Sequence, residues 1–585
     1  MLRKLFAALL AANFLVINFA CARPCLAQYA QKTMYGTNVF QSVYFSTDAM
    51  YVDVFMHASG WWTNPSTNVP LTPSGYPASG TATTLFYMSG YPSGDYKFYG
   101  KGNFSLNPRG GSFVSGTLQK NGDVTTALIH FDVEPTQVGG YYGPASETVC
   151  LFDVTVNDPN DPPSEFHLIH PDYPAWPNTN AEFTKAYLRA ISPFTCLRMM
   201  DWMGTNGSTV SNWSDRPNPN LFGDGNQNDA YERFIDLANA SNSDLWVNIP
   251  LYATDDWAKN FATLLAQRLN PNLHVYYEFS NECWNWGFSQ WQQIEQWAQA
   301  NPALTSQGAW ERHNQQVMFC LMKYVKIMQP ILGSRGRPIF AGQLAGVSYT
   351  AGAALDWLNT TYGPPSNYIF GISGAAYFSL SSADPNPTTL DDLFVSMNDN
   401  INADIATQVK QYTDLAQHYN LQFTCYESGQ SLYSFGDQTT WAFYDQAQFD
   451  SRMGTCYQNL ANVLQANGTY LCNFYAFIGE DSRYGWWGAT NGVDLITANG
   501  PVKYQTEAAI ALAGGLNDGK KTPPPGNNNP PGSGTPGTPG KGSPPAKHRP
   551  KPPKSSWPVS PGMGRKMSNP NKTSKNAFIR NSLGK

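Results

Sequence analysis

The sequence predicts a multidomain protein in which an N-terminal β-sandwich is followed by a (β/α)8 barrel and a disordered C-terminal tail. Three observations support this fold class. Short β-branched and aromatic segments fill residues 34–160, apolar runs alternate with amphipathic segments after them, and Pro and Gly dominate the end. The length of 585 residues suits several domains, and the 42% hydrophobic content excludes a wholly disordered chain.

Residues 1–27 are predicted to be a signal peptide. Two basic residues precede an apolar run from Leu5 to about Phe19, and small residues then offer cleavage after Ala22 or Ala27. A run of about fifteen apolar residues is short of the roughly twenty that span a bilayer, so a membrane anchor is disfavoured. The sequence therefore predicts a secreted or periplasmic protein without a membrane span.

Residues 34–160 are predicted to form the β-sandwich. The segments have no helical period, are rich in β-branched and aromatic residues, and are separated by Gly, Pro, Asn and Asp clusters. Two packed antiparallel sheets are the usual way for such a stretch to bury its apolar side chains. The clearest segments are Met50–Met56, Thr84–Met88, Gly111–Leu118 and Leu151–Val156.

Residues 164–513 are predicted to form the barrel. Continuous apolar runs are typical of parallel strands that are covered on both faces, and eight strand–helix units favour a closed barrel. An open doubly wound sheet is the alternative, but no Gly-x-Gly-x-x-Gly follows the first run. The predicted strands are Phe166–His170, Thr195–Met200, Leu245–Pro250, Leu273–Phe279, Pro338–Gln343, Tyr368–Tyr377, Leu421–Tyr426 and Tyr470–Phe477.

Residues 516–585 are predicted to be a disordered basic tail. They contain thirteen Lys and Arg and one acid, hence +12, whereas the remaining residues carry 24 basic and 41 acidic groups, hence −17. An acidic body argues against a nucleic-acid partner. The tail itself is expected to make weak electrostatic contact with an anionic glycan or membrane surface, and a solubilising segment without a partner is the alternative.

Polar side chains stand at the carboxyl ends of several predicted barrel strands, where catalytic groups of such barrels lie. Glu282 ends the fourth strand and Glu427 ends the seventh, so the two carboxyls are expected to face each other across the barrel mouth. Glycoside hydrolysis needs such a pair, one carboxyl as the acid and the other ionised. The alternative is that each glutamate pairs structurally with an arginine, which is the role expected of the deeper Glu278 beside Arg198.

With these residues in place, residues 164–513 resemble the retaining glycoside hydrolases of clan A, although no single characterised family matches. The resemblance implies that Glu282 is the acid/base, that Asn281 binds the hydroxyl next to the anomeric carbon, and that Glu427 is the nucleophile. It further implies that Arg198 and Tyr377 support the nucleophile, and that an aromatic floor lies under the reacting sugar, for which the candidates are Trp486 and Trp487. The sequence departs from the clan at Ala375, where a histidine is common.

Two further residues are predicted to contact sugar. Trp284 lies beside Glu282 and offers a flat apolar face, and His170 follows the first predicted strand. No metal site and no cofactor are predicted. The acidic run at 224–229 lacks the glycine and the closing glutamate of a calcium loop.

These observations predict a secreted retaining glycoside hydrolase that cleaves a β-linked polysaccharide or oligosaccharide with two glutamates. Two alternatives stay open. One is a non-catalytic carbohydrate-binding or envelope protein built on the same barrel, and the other is a transglycosylase that uses the same residues with a different acceptor. The residues do not specify the sugar, the linkage, or internal versus terminal cleavage.

Overall fold

The computed structural model describes residues 32–63, 69–143, 147–223 and 229–521. The predicted signal peptide and residues 522–585 of the predicted tail lie outside the described residues. In the part of the chain that is described, no helix combines the length and the apolar character needed to cross a bilayer.

The first part of the described chain forms one barrel strand and a region that we call the β-domain. The β-domain contains two antiparallel sheets, one with the order β2-β8-β4 and one with the order β5-β7-β3-β9, with β6 paired to β7. The strands are β1 (Met34–Asn38), β2 (Thr81–Tyr87), β3 (Gly94–Lys101), β4 (Phe104–Arg109), β5 (Ser112–Phe113), β6 (Gln119–Asn121), β7 (Val124–Phe131), β8 (Val149–Val156) and β9 (Ser164–Ile169).

Aromatic side chains join the two sheets of the β-domain. Buried and partly exposed residues alternate along β7 and β8, as expected for strands with one buried face. Phe131 of one sheet stacks on Phe152 of the other at 6.3 Å between ring centroids, and Phe131 also meets Phe86 at 6.4 Å. These contacts agree with sheets packed face to face, and the β-sandwich itself stays a prediction.

Eight parallel strands close into a barrel in the order β1-β10-β11-β12-β13-β14-β15-β16, which confirms the predicted barrel. Every residue of β11, β12 and β15 is buried, because helices cover the outside and side chains fill the inside. The remaining strands are β10 (Cys196–Arg198), β11 (Asp244–Ile249), β12 (Val275–Phe279), β13 (Gly336–Ala341), β14 (Gly371–Phe378), β15 (Gln422–Gln430) and β16 (Leu471–Phe474).

The barrel helices are amphipathic and several begin at a capping side chain. In α3, for example, Thr254 accepts a hydrogen bond from the backbone N–H of Trp257, and Trp257 and Phe261 lie on the buried face. The helices are α1 (Lys185–Ile191), α2 (Tyr231–Ser241), α3 (Asp255–Arg268), α4 (Ser289–Ala300), α5 (Ala309–Leu332), α6 (Ala353–Tyr362), α7 (Leu390–Asn400), α8 (Ala406–His418), α9 (Gln438–Gln448), α10 (Ser451–Ala466), α11 (Val502–Ala513) and α12 (Asp518–Lys521).

The predicted domain boundaries of 34–160 and 164–513 are wrong, because the barrel begins at β1. Met34–Asn38 pairs with β10 on one side and β16 on the other. The segment taken for the first barrel strand is β9, which pairs with β3 in the β-domain. The short β1 contains Gly36, where an added Cβ would lie 2.1 Å from Asn473 Oδ1, so close backbone packing replaces the apolar run that marks the other strands.

The β-domain is therefore an insertion between β1 and β10 that leaves the barrel at its carboxyl end. It contacts the loop that follows β16. The backbone N–H of Thr136 donates to Asp494 Oδ2 at 2.9 Å, and the backbone N–H of Arg483 donates to the carbonyl of Tyr141 at 2.8 Å. These contacts hold the β-domain against the face of the barrel that carries the predicted site.

The predicted start of the tail at residue 516 is also wrong, because residues 516–521 pack against the barrel. Asn517 is buried and donates from Nδ2 to the carbonyl of Asn242 at 3.0 Å and to Asp244 Oδ1 at 3.2 Å. Lys520 Nζ donates to the carbonyl oxygens of Ser192 and Ser241. These polar contacts attach residues 516–521 to the amino-terminal side of the barrel through backbone carbonyls and the carboxylate of Asp244.

A truncation series tests this boundary. A chain that ends at Lys521 is expected to keep the free energy of unfolding of the full chain, since no described contact is removed. A chain that ends at Gly515 loses the contacts of Asn517 and Lys520 and is expected to be less stable by about 1–3 kcal/mol. Urea unfolding of both proteins measures the difference, and equal midpoints would contradict a structural role for residues 516–521.

Candidate active site

The buried guanidinium of Arg198 is at the centre of the site. Arg198 is the last residue of β10, and its side chain is fully buried at the carboxyl end of the barrel. Nη1 donates to Asn38 Oδ1 at 2.9 Å and to Glu427 Oε1 at 2.7 Å, whereas Nη2 donates to Glu278 Oε1 at 2.7 Å and to Asn281 Oδ1 at 2.8 Å. Burial disfavours its charge, but the carboxylates of Glu278 and Glu427 outweigh burial and raise the pKa of Arg198.

Glu427 lies within β15 and accepts hydrogen bonds on both carboxyl oxygens. Oε1 accepts from Arg198, and Oε2 accepts from the hydroxyl of Tyr377 on β14 at 2.9 Å. Burial and then the nearby Glu427 raise the pKa of Tyr377, so its hydroxyl keeps the proton that it donates. The charged and neutral donors together orient the carboxyl of Glu427.

Glu282 follows β12 and has an environment of a different kind. Its Oε1 accepts from the hydroxyl of Tyr426 at 3.0 Å, and its Oε2 accepts from Asn285 Nδ2 at 2.9 Å, with no described cation in direct contact. Burial and then the charge of Glu427 raise the pKa of Glu282 to about 8. Trp284 Nε1 donates to the Tyr426 hydroxyl at 3.2 Å, so Trp284 lies next to Glu282, and its role as a sugar contact stays a prediction.

Glu278 is one layer deeper in the barrel, as the sequence predicts. Besides Arg198, it accepts from Trp246 Nε1 at 2.9 Å and from Asn248 Nδ2 at 2.5 Å. Each carboxyl oxygen therefore has a protein donor. We assign Glu278 to holding Arg198 rather than to chemistry.

Asn281 is fixed by neighbours that sequence reasoning missed. Its Oδ1 accepts from Arg198, and its Nδ2 donates to Asn206 Oδ1 at 3.2 Å. Gln290, in the first turn of α4, donates from Nε2 to the same Asn206 oxygen and to the carbonyl of Asn281, both at 2.8 Å. One hydrogen of the Asn281 amide then remains for a ligand in the barrel mouth.

Of the two predicted floor residues, Trp487 lies beside the site and Trp486 does not. The Trp487 ring is 5.9 Å from Tyr377 and 5.8 Å from Tyr475, the residue that directly follows β16. Trp486 is completely buried, and it donates from Nε1 to Asp445 Oδ1 at 2.9 Å. The selection of Trp486 is wrong because adjacent residues in this loop point into different surroundings.

His170 lies in the β-domain and not at the barrel mouth. It follows β9 in the β-domain and is buried among the rings of Tyr91, Tyr96 and Tyr173. Its Nδ1 accepts from the backbone N–H of Asp172 at 3.1 Å, and burial lowers its pKa. His170 therefore packs the β-domain, and its prediction as a sugar contact is wrong because the strand before it is not a barrel strand.

The described residues offer no cluster of side chains suited to binding a metal ion. Within residues 32–63, 69–143, 147–223 and 229–521, no group of three or more His, Cys, Asp and Glu side chains is arranged to hold a metal ion. The acidic run at 224–229 lies outside these residues apart from Asp229.

Comparisons with known proteins return structural likeness only. No family model matches the chain, and no curated protein matches it. Solved structures that resemble it include the GH51 arabinofuranosidase from Xanthomonas axonopodis pv. citri, at 13% identity over 58% of this chain and 68% of that chain, with a TM-score of 0.39. Another is the CBM22-1–GH10 part of xylanase 10B from Clostridium thermocellum, at 11% identity over 82% of this chain and 99% of that chain, with a TM-score of 0.38.

A third is the GH51 α-L-arabinofuranosidase from Thermotoga petrophila, of which this chain covers 63%, with 13% identity over 56% of this chain and a TM-score of 0.34. At these scores the likenesses carry no argument about activity. The barrel rests on the strand pairing described above, and the function must be argued from the site.

The raised pKa of Glu282 predicts a pH-dependent stability. The unfolded carboxyl titrates near its ordinary value of 4.5 and the folded one at about 8, so between these values only the unfolded state has released the proton. The free energy of unfolding is therefore expected to fall as pH rises from about 4.5 to about 8. Glu282→Gln cannot titrate and is expected to show a flatter profile in urea unfolding across this range.

Glu134→Gln is the matched control because Glu134 is exposed in the β-domain. Its stability profile should follow that of the unmodified protein. A Glu282→Gln profile as steep as that of the control would contradict the raised pKa.

Proposed function

We propose that this chain is a secreted retaining glycoside hydrolase that acts on a β-linked polysaccharide. One observation carries the proposal: two carboxyls stand at the mouth of one barrel in opposite electrostatic environments. Glu427 accepts from a guanidinium and a phenol, and Glu282 is buried with a pKa of about 8. This inequality separates an ionised nucleophile from a protonated acid at neutral pH.

The first half of the reaction uses both carboxyls at once. Glu427 attacks the anomeric carbon and forms a bond to it, while the bond from that carbon to the leaving oxygen breaks. Glu282 gives its proton to the leaving oxygen, which departs as an alcohol. Arg198 stays cationic throughout and holds the attacking oxygen in position, and Asn281 has an amide hydrogen free for the neighbouring hydroxyl of the sugar.

The second half reverses the roles. Glu282, now ionised, takes a proton from water as the water oxygen attacks the anomeric carbon. The bond to Glu427 breaks, and the sugar leaves with its original anomeric configuration. A retaining pair requires roughly 5–5.5 Å between its carboxyl groups, and an inverting pair requires roughly 6.5–9.5 Å.

The proposals of secretion, of a β-linked substrate and of a retaining mechanism rest on the sequence. The predicted signal peptide supports export, and the resemblance to clan A supports an equatorial bond and a double displacement. Activity should fall as pH rises through about 8, since Glu282 then loses the proton that the leaving oxygen needs.

Substitution of Glu282 tests the acid role. Glu282→Gln is expected to lose about 10²–10⁴-fold in kcat/KM on polysaccharide, where the leaving alkoxide needs the proton. Activated aryl glycosides leave without that proton, so their first step should be much less affected. Glu134→Gln is the control, and equal losses of Glu282→Gln on both substrates would reject Glu282 as the acid.

Trapping tests the nucleophile and the stereochemical outcome. A 2-deoxy-2-fluoro glycoside with a good leaving group should accumulate as an ester on Glu427, seen by mass spectrometry of the peptide that contains it. Proton NMR of early product should show the retained anomer. Inverted product, or an ester on another residue, would reject this mechanism.

A further inference from the structure

Five aromatic side chains lie where the β-domain meets the barrel, with ring contacts within the pairs Tyr141–Tyr142 and Tyr433–Phe435. We call this surface the aromatic strip and define it as Tyr141, Tyr142, Tyr433, Phe435 and Tyr484. Tyr141 and Tyr142 come from the β-domain, and the other three come from the barrel loops after β15 and β16. Tyr142 is 80% exposed and Phe435 is 57% exposed, which is unusual for such large apolar side chains.

Hydrogen bonds fix the turn that carries Tyr141 and Tyr142 and join it to the loop of Phe435. Gly140 and Gly143 exchange two backbone hydrogen bonds of 2.9 Å, so Tyr141 and Tyr142 occupy the tip of a tight turn. The two rings meet edge to face at 4.9 Å. The hydroxyl of Tyr141 donates to the carbonyl of Gly436 at 2.6 Å and fastens this turn to the loop that carries Phe435.

The strip is continuous with the candidate active site. Trp487, whose ring lies beside that of Tyr377, donates from Nε1 to the carbonyl of Tyr484 at 2.8 Å. Arg483 donates from Nη2 to the hydroxyl of Tyr484 at 2.8 Å, and its backbone N–H bonds the carbonyl of Tyr141. Direct contacts therefore connect Tyr377, which donates to Glu427, with the β-domain.

We infer that the aromatic strip binds a glycan chain that extends out of the barrel mouth, an inference that rests on the proposed function. Pyranose rings present flat C–H faces that pack on aromatic rings, while tyrosine and arginine donors reach the hydroxyls at the ring edge. Rigid tyrosines lose little conformational entropy on binding, which favours weak stacking contacts repeated along a chain.

The position of the strip assigns it to the part of the substrate that keeps the reacting anomeric carbon. Glu282 follows β12 and must contact the leaving oxygen, so the departing part of the chain extends on that side. The strip lies on the loops after β1, β15 and β16, and β16 stands four strands from β12 in the eight-stranded ring. The strip thus faces the other end of the substrate, and the inserted β-domain completes the binding cleft.

Binding in a catalytically weakened protein tests this inference. Glu282→Gln should be retarded in native gels that contain at least one of four soluble polysaccharides: β-glucan, xylan, mannan or galactan. Adding Tyr142→Ala and Phe435→Ala to Glu282→Gln should raise the dissociation constant for that polysaccharide by about tenfold or more. The matched control is Phe449→Ala, whose ring is 53% exposed and lies at the opposite end of α9 from Gly436.

The variant with Tyr142→Ala alone is also measured, because the ring of Tyr142 is largely exposed and its loss should not disturb folding. Thermal unfolding checks that this variant and the variant with both substitutions are folded. No retardation in any gel, or equal affinity of the strip variants and the Phe449→Ala control, would overturn the inference. Release of reducing ends by the unmodified protein tests the proposed function separately. Binding that depends on the strip without release would reject the hydrolase alone, and release with unchanged affinity of the strip variants would reject the strip alone.

Discussion

The rest of the site depends on one buried cation. The guanidinium of Arg198 on β10 bonds Asn38 on β1, Glu278 on β12 and Glu427 on β15, so one group joins four of the eight barrel strands. A buried arginine is costly to desolvate and becomes tolerable only when carboxylates and amides satisfy it. Removal of any one of these partners would leave part of the buried charge without compensation, and both terminal nitrogens of Arg198 are accordingly hydrogen-bonded twice.

This arrangement also decides how the two outer carboxyls differ. The two terminal nitrogens of Arg198 donate to Glu278, Asn281, Glu427 and Asn38. Glu282 is left with neutral donors, and Glu427 adds a nearby negative charge. Burial, neutral donors and the nearby charge of Glu427 thus give Glu282 an environment unlike that of Glu427, which accepts from Arg198.

The sequence predicted the parts that leave a local signal. Seven barrel strands have apolar runs, and both glutamates lie within three residues of the end of such a run. The first strand was missed because Gly36 packs backbone against Asn473, a contact made across the whole chain. Tyr426 and Gln290 were missed because their contacts form only in the folded chain. Tyr426 on β15 donates to Glu282 beyond β12, and Gln290 reaches back from α4 to the carbonyl of Asn281. His170 was placed at the barrel mouth because the segment before it was predicted to be a barrel strand, whereas that segment is β9 of the β-domain.

The inserted β-domain has a consequence for the order in which this protein is made. Its last strand ends at Ile169, so the ribosome releases the whole β-domain long before β16, the partner of β1. Domains completed early in synthesis fold as units before the rest of the chain emerges. Until β10 and β16 have been synthesised, β1 lacks both of its partner strands, and its unpaired edges can bind other strands. The bridge between Tyr51 and Phe183 at the base of the insertion brings together the chain segments that lead out of β1 and back toward β10.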